Sequence, residues 1–288
     1  MTGEQGALFG GSAPVSPLAP RVENLRLGTS SWSCEHWVGC FYPRGTAPGG
    51  FIAAYAQRLD TVEIDSTYYR IPAASTMRKW RDCTPPGFIF AAKFPQVITH
   101  EKVMQDCRDD VGAFLRTMSL LEDRLGPLLL QFPYFNQAAF ASSEGFRARL
   151  APFLEQLPGE FQYALEVRNK NWIDAPLLDL LRRKGVALAL IDHPWMHPIT
   201  QLAASFDVLT ADFAYIRWLG DRKAIEAQTK RWDAIIIHRE REMREWIDFI
   251  RGLLRRGGRV WGYFNNHYAG FGPGSIELFN KVWASGSG

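Results

Sequence analysis

Cysteine is scarce. Cys34, Cys40, Cys83 and Cys107 are the four in 288 residues, and none forms a Cys-x-x-Cys pair. Such thiols read as incidental, in a reduced, cytoplasmic setting. No basic, long apolar leader opens the chain, so no secretory signal is expected, and no apolar run is long enough to span a bilayer. Excess charge is missing as well. A net charge of +3 gives no bulk attraction for nucleic acid, so any basic surface has to be local. Of six histidines only His193 and His267 close apolar runs, too few for a multi-zinc cluster. The turn after the first apolar run reads Gly28-Thr-Ser-Ser-Trp32 and lacks a Gly-x-Gly-x-x-Gly fingerprint.

What is present is a large core: 47% of residues are hydrophobic and 22% charged. Residues 1–22 are the exception. Rich in Gly, Ser, Ala and Pro, they read as a flexible, disordered tail. Within them, Gln5, Leu8 and Phe9 form a Gln-x-x-Leu-Phe pattern that resembles the short peptide with which bacterial replication and repair proteins dock on the DNA sliding clamp.

Eight short apolar runs follow, alternating with helical patterns. They are Leu25–Thr29, Thr61–Asp65, Phe88–Lys93, Pro127–Gln131, Gln162–Glu166, Val186–Ile191, Phe213–Trp218 and the stretch from Arg259 to His267. Between them, Asp174 is an N-cap and Gly185 a stop, and a long helix is expected from about Asp233. The count and length predict an α/β fold, a single (β/α)8 TIM-like barrel over residues 23–286.

Barrel sites sit at the C-terminal strand ends, and there polar groups collect. Glu63, Asp192, Lys93 and His267 are the candidate catalytic groups. Trp32, Tyr68, Tyr69, Gln131, Glu166, Arg168, Arg217, Asn265 and Asn266 are the candidate substrate-binding groups. Glu63 and Asp65 lie two apart and face one side of their strand, as do Glu166 and Arg168. A structural ion-pair network explains Glu63, Glu166 and Arg168 better than chemistry does. Glu63, Asp65, Asp192 and His193 are the candidate ligands for one divalent metal, Mg²⁺ or Mn²⁺. Cations beside Trp32, Tyr68, Tyr69, Trp218 and Tyr268 suit an anionic, ring-bearing ligand. Gly270, Gly272 and Gly274 outline a phosphate cradle before the last helix.

Gly28-Thr-Ser-Ser-Trp32, Trp37-x-Gly-x-Phe-Tyr-Pro43, Thr61-Val-Glu-Ile-Asp-Ser-Thr67, Ile98-Thr-His100, Leu128-Leu-Leu-Gln-Phe-Pro133, Leu165-Glu-Val-Arg168, Tyr215-Ile-Arg-Trp-Leu-Gly220 and Tyr263-Phe-Asn-Asn-His267 cover nearly all of the chain after the tail. With them the sequence resembles the YecE-like family, a domain of unknown function. The resemblance implies a TIM-like barrel and supplies no established reaction. Family members often carry His after the arginine of Glu-Val-Arg, where this chain has Asn169. The expected function is a hydrolase-type enzyme on a phosphorylated or nucleic-acid-derived ligand, linked to DNA metabolism. The alternatives are a non-catalytic binding barrel recruited through its tail and a sugar-isomerase-like metal enzyme.

Overall fold

The computed structural model describes residues 22–286 and, before them, Leu18. The Gln5, Leu8 and Phe9 peptide lies outside the described residues. Eight strands alternate with helices: β1 (Leu25–Thr29), β2 (Thr61–Ile64), β3 (Ile89–Lys93), β4 (Leu125–Gln131), β5 (Tyr163–Glu166), β6 (Ala187–Asp192), β7 (Phe213–Trp218) and β8 (Arg259–Phe264). The helices are α1 (Phe51–Tyr55), α2 (Ala74–Asp82), α3 (Arg108–Met118), α4 (Ser143–Gln156), α5 (Ala175–Lys184), α6 (Ile199–Ser205), α7 (Arg222–Glu226), α8 (Glu240–Arg255), α9 (Asn266–Ala269) and α10 (Gly272–Ser285). Paired strands are parallel and run β1-β8-β7-β6-β5-β4-β3-β2, which makes a nearly closed TIM-like barrel. Strands buried on both faces need apolar residues on both, which explains the continuous apolar runs.

Local chemistry sets the helix ends. Asp174 accepts the Leu177 N–H at 2.9 Å and starts α5, and Gly185, at φ 63°, ends it. The expected start at Asp233 is corrected, because α8 begins at Glu240. The backbone N–H groups of Ile236 and Ile237 instead donate to the Ala269 carbonyl, at 2.7 and 3.2 Å. That holds the segment before α8 against the β8 loop rather than in a helix.

Small and large residues complement each other inside the barrel. Tyr215 and Tyr263, with ring centroids 5.2 Å apart, fill a cluster with Ala91, Ala164 and Ala189. The seam lies between β1 and β2, which share no ladder. There a Cβ on Gly28 would come within 2.1 Å of the Thr61 carbonyl, so the approach requires glycine. The buried Tyr55 hydroxyl bridges the two strands, accepting the Thr29 N–H at 2.9 Å and donating to the Thr61 carbonyl at 3.0 Å. Tyr55→Phe strands both backbone groups in a dry site. It is expected to cost about 2–3 kcal/mol, read as a lower urea midpoint. An unchanged midpoint would show that the seam does not depend on this hydroxyl.

Candidate functional site

The deepest charged layer crosses the barrel. Arg217 on β7 donates to Glu166 at 2.6 Å and to Glu63 at 2.8 Å. Tyr215 donates to the other Glu63 oxygen at 2.7 Å, and Arg168 donates through Nε to the other Glu166 oxygen at 2.6 Å. All four carboxylate oxygens are thereby used. Glu63 and Glu166 are fully buried and Arg217 nearly so. Burial alone would raise the Glu166 pKa, but Arg168 and Arg217 more than offset this and hold it down, to about 2. Burial likewise works against the Arg217 charge, yet Glu166 and Glu63 keep it charged. Two carboxylates meet two guanidiniums, so the layer is internally balanced. The structural reading of these residues accounts for their geometry.

The mouth lies above this layer. Lys93, at the end of β3, is salt-bridged to Asp65 at 2.5 Å and stands 5.6 Å from the centre of the Tyr68 ring. The Arg168 side chain keeps a quarter of its surface open. With Nε pinned to Glu166, its terminal nitrogens have no partner among the described residues. Gln131 is half-buried and donates to the Phe132 carbonyl at 3.3 Å. Tyr68 is half-buried and Tyr69 is 69% exposed, and their rings are 5.0 Å apart.

Two imidazoles complete the mouth, and His100 was not among the candidates read from the sequence. It occupies a single π-helical turn, Val97–Glu101, with Nδ1 at 2.8 Å from the Thr99 hydroxyl and its ring 5.0 Å from that of Tyr68. Burial lowers its pKa first, and Lys93 and Arg168 lower it further. Burial and then Arg168 do the same for His193. The Trp195 N–H donates to His193 Nδ1 at 3.2 Å, so the neutral ring carries its proton on Nε2. The motif Ile98-Thr-His100 was visible in sequence, but a π turn has no periodicity that marks it as part of a site.

Other candidates lie elsewhere. Asp192 does not share the mouth with Lys93. Strand alternation turns it outward, where it accepts the Trp246 Nε1–H of α8 at 2.7 Å and burial raises its pKa. His267 contacts Asn265 at 2.7 Å, Glu226 at 3.2 Å and the Trp232 ring at 4.8 Å, in a separate group beside β8. Asn266 accepts the Gly272 N–H at 2.9 Å, which occupies the cradle expected there, and a Cβ on Gly272 would lie 3.0 Å from the Thr29 methyl. Those glycines serve close packing. Trp32 is buried edge-on to Trp80, with centroids 4.7 Å apart, and Trp218 and Tyr268 are fully buried. All three rings are buried in packing rather than exposed at the mouth. Among the described residues no three His, Cys, Asp or Glu side chains converge as metal ligands. Glu63, Asp65, Asp192 and His193 therefore do not assemble as the metal set expected from the sequence.

Among the described residues no helix is long and apolar enough to cross a membrane. Residues 26–287 match the family model described as "Protein of unknown function DUF72". The UPF0759 protein YecE of Escherichia coli K12 is 32% identical over 178 residues, 60% of this chain. That match spans 61% of the relative's own length. The UPF0759 protein YunF of Bacillus subtilis is 26% identical over 293 residues, which cover 88% of this chain and 100% of that protein. A solved DUF72 family protein of Thermotoga maritima superposes with a TM-score of 0.67 at 26% identity, covering 91% of this chain and 99% of that one. A second, from Enterococcus faecalis, gives 0.63 at 22% identity and covers 90% and 95%. With the barrel and the matched residues in agreement, the chain belongs to the DUF72 family, the group of YecE-like proteins.

Proposed function

We propose that the barrel mouth binds a phosphorylated, nucleic-acid-derived ligand and hydrolyses its phosphoester. The observation that carries this reading is the pairing of two cations with two neutral imidazoles above a balanced ionic floor. The floor uses its own charges completely, which leaves the terminal nitrogens of Arg168 open to a phosphate, while Lys93, paired with Asp65, adds its positive charge to the same mouth. His100, kept neutral by burial and by those same cations, takes a proton from attacking water. Water oxygen bonds to phosphorus, and the ester oxygen leaves and takes its proton from solvent water, while the His193 Nε2–H serves as a hydrogen-bond donor to the phosphoryl group. Lys93 and Arg168 neutralise charge that builds on the phosphoryl oxygens. The tail peptide Gln5–Phe9 would bring this activity to DNA by docking on the sliding clamp.

The test is steady-state hydrolysis of single-stranded DNA, abasic DNA and nucleotide phosphodiesters by the full chain. Lys93→Met and Arg168→Met are each expected to lower kcat/KM roughly 10- to 150-fold, the worth of a charge-assisted bond of about 1.5–3 kcal/mol. His100→Ala lowers kcat by about 10²–10⁴. A base whose pKa is lowered stays unprotonated further into acid, so the acid limb of the wild-type rate lies below pH 6.5, the ordinary imidazole value. No hydrolysis of any of these esters, or a rate indifferent to Lys93 and His100, rejects the reading.

A further inference from the structure

Three large apolar side chains stand mostly in solvent among the described residues: Tyr69 at 69%, Tyr134 at 69% and Trp195 at 72% exposure. They are not scattered. Each lies in the loop that follows an even-numbered strand, β2, β4 and β6, so all three ring one end of the barrel, the end that carries Lys93 and Arg168. Exposed aromatic surface is costly to hydrate, and concentration on one rim calls for an occupant.

Two of the rings border a cleft of about 590 Å³ that has a cationic edge. Tyr134 and Trp195 line it together with the half-buried Trp172, and Arg168 and the exposed Lys170 supply the charge. Arg168 belongs to both places. Its Nε is bonded to Glu166 in the barrel floor, while the side chain borders the cleft. The cleft wall is fixed by Asn169, which is buried and accepts the Phe135 N–H at 2.9 Å while donating to the Phe135 carbonyl at 2.8 Å. One side chain thus ties the loop carrying Tyr134 to the loop carrying Lys170. Trp195 is held at its backbone by His193, and its ring meets that imidazole at 5.2 Å. Tyr69 reaches His100 through Tyr68 by two ring contacts of 5.0 Å.

We infer that this rim is a base-stacking track for single-stranded nucleic acid, leading a strand across the cations of the mouth. The inference rests on the phosphoester reading above and names its substrate class. Spacing favours a strand over a mononucleotide. From β2 to β6 there are four strand-to-strand steps of about 4.8 Å, roughly 19 Å along the rim, more than one nucleotide covers. Stacking needs unpaired bases with open faces, so a duplex fits poorly, and alternation of aromatic rings with Arg and Lys matches a base-and-phosphate repeat. A peptide of acidic character would use the cations but leave three exposed rings on separate loops without a partner.

The experiment measures binding of a labelled oligothymidylate of about 12 nucleotides, and of its ribose counterpart, to the full chain by fluorescence anisotropy. Trp195→Ala and Tyr134→Ala are each expected to weaken it about 5- to 150-fold, the loss of one stacked base. Trp195→Phe, which keeps a ring, restores most of that affinity. Hydrolysis of a small nucleotide phosphodiester, too short to reach the rim, stays unchanged in Tyr134→Ala. Equal affinity for wild type and both alanine variants overturns the stacking track, as does inorganic polyphosphate binding as tightly as the oligonucleotides. In either case continued hydrolysis of the small diester leaves the phosphoester reading standing. Failure of the small diester to react, while oligonucleotide binding still depends on Trp195 and Tyr134, rejects hydrolysis and leaves the track.

Discussion

Arg217→Met is expected to lower the stability of the barrel by roughly 3–5 kcal/mol, the usual consequence of leaving a buried charge without its partner. Methionine occupies much of the space of the arginine stem but offers no donors. Glu63 and Glu166 would then share a dry interior with no cation between them, and Tyr215 and Arg168 would remain as their partners. Since small domains are stable by about 5–15 kcal/mol, such a loss moves the urea midpoint far below that of the wild type. A companion variant separates charge from packing. Combining Arg217→Met with Glu63→Gln and Glu166→Gln removes the ions together, and most of the loss should return. If the single variant unfolds at the wild-type midpoint, the cross-barrel pairs are not what holds β2, β5 and β7 in place.

The barrel was readable because its signals are periodic. Each strand is a short apolar run that ends in polar side chains, and each is set off by capping or turn residues such as Asp174 and Gly185. What the sequence could not settle was direction. Asp192 and Lys93 both end strands, but β6 presents Ala187 and Ala189 to the interior cluster, and that parity sends Asp192 out to Trp246. Aromatic residues near strand ends had the same ambiguity. Trp32 and Trp218 are buried outside the sheet, whereas Trp195 and Tyr134, in loops with no pattern, are exposed as Tyr69 is. His100 sits in the motif Ile98-Thr-His100, yet only the π turn brings its ring to Tyr68. The start of α8 at Glu240 departs from the helical pattern for another reason. A distant carbonyl, that of Ala269, takes the N–H groups that would otherwise have continued the helix.

Acid should strip away a comparable amount of stability through one carboxylate. In the unfolded chain a glutamate titrates near 4.3, whereas the folded Glu166 is held at about 2 by Arg168 and Arg217 against the opposing effect of burial. A folded pKa below the unfolded one means that the protein favours the ionised form. The resulting stabilisation is complete above about pH 5 and is lost as the pH falls towards 2. At 1.36 kcal/mol for each pH unit separating the two values, the contribution is on the order of 3 kcal/mol. Because the side chain is fully buried, solvent screening removes little of it. Urea midpoints collected from about pH 5 down to about pH 2 should therefore fall steeply for the wild type. Glu166→Gln, which has no proton to take up at this position, should start lower and fall with a shallower slope. The comparison of slopes is the decisive quantity, since other carboxylates titrate in both proteins and cancel. Parallel slopes would place the acid sensitivity on surface pairs such as Asp207 with Arg256, and would mean that Glu166 keeps its proton balance on unfolding.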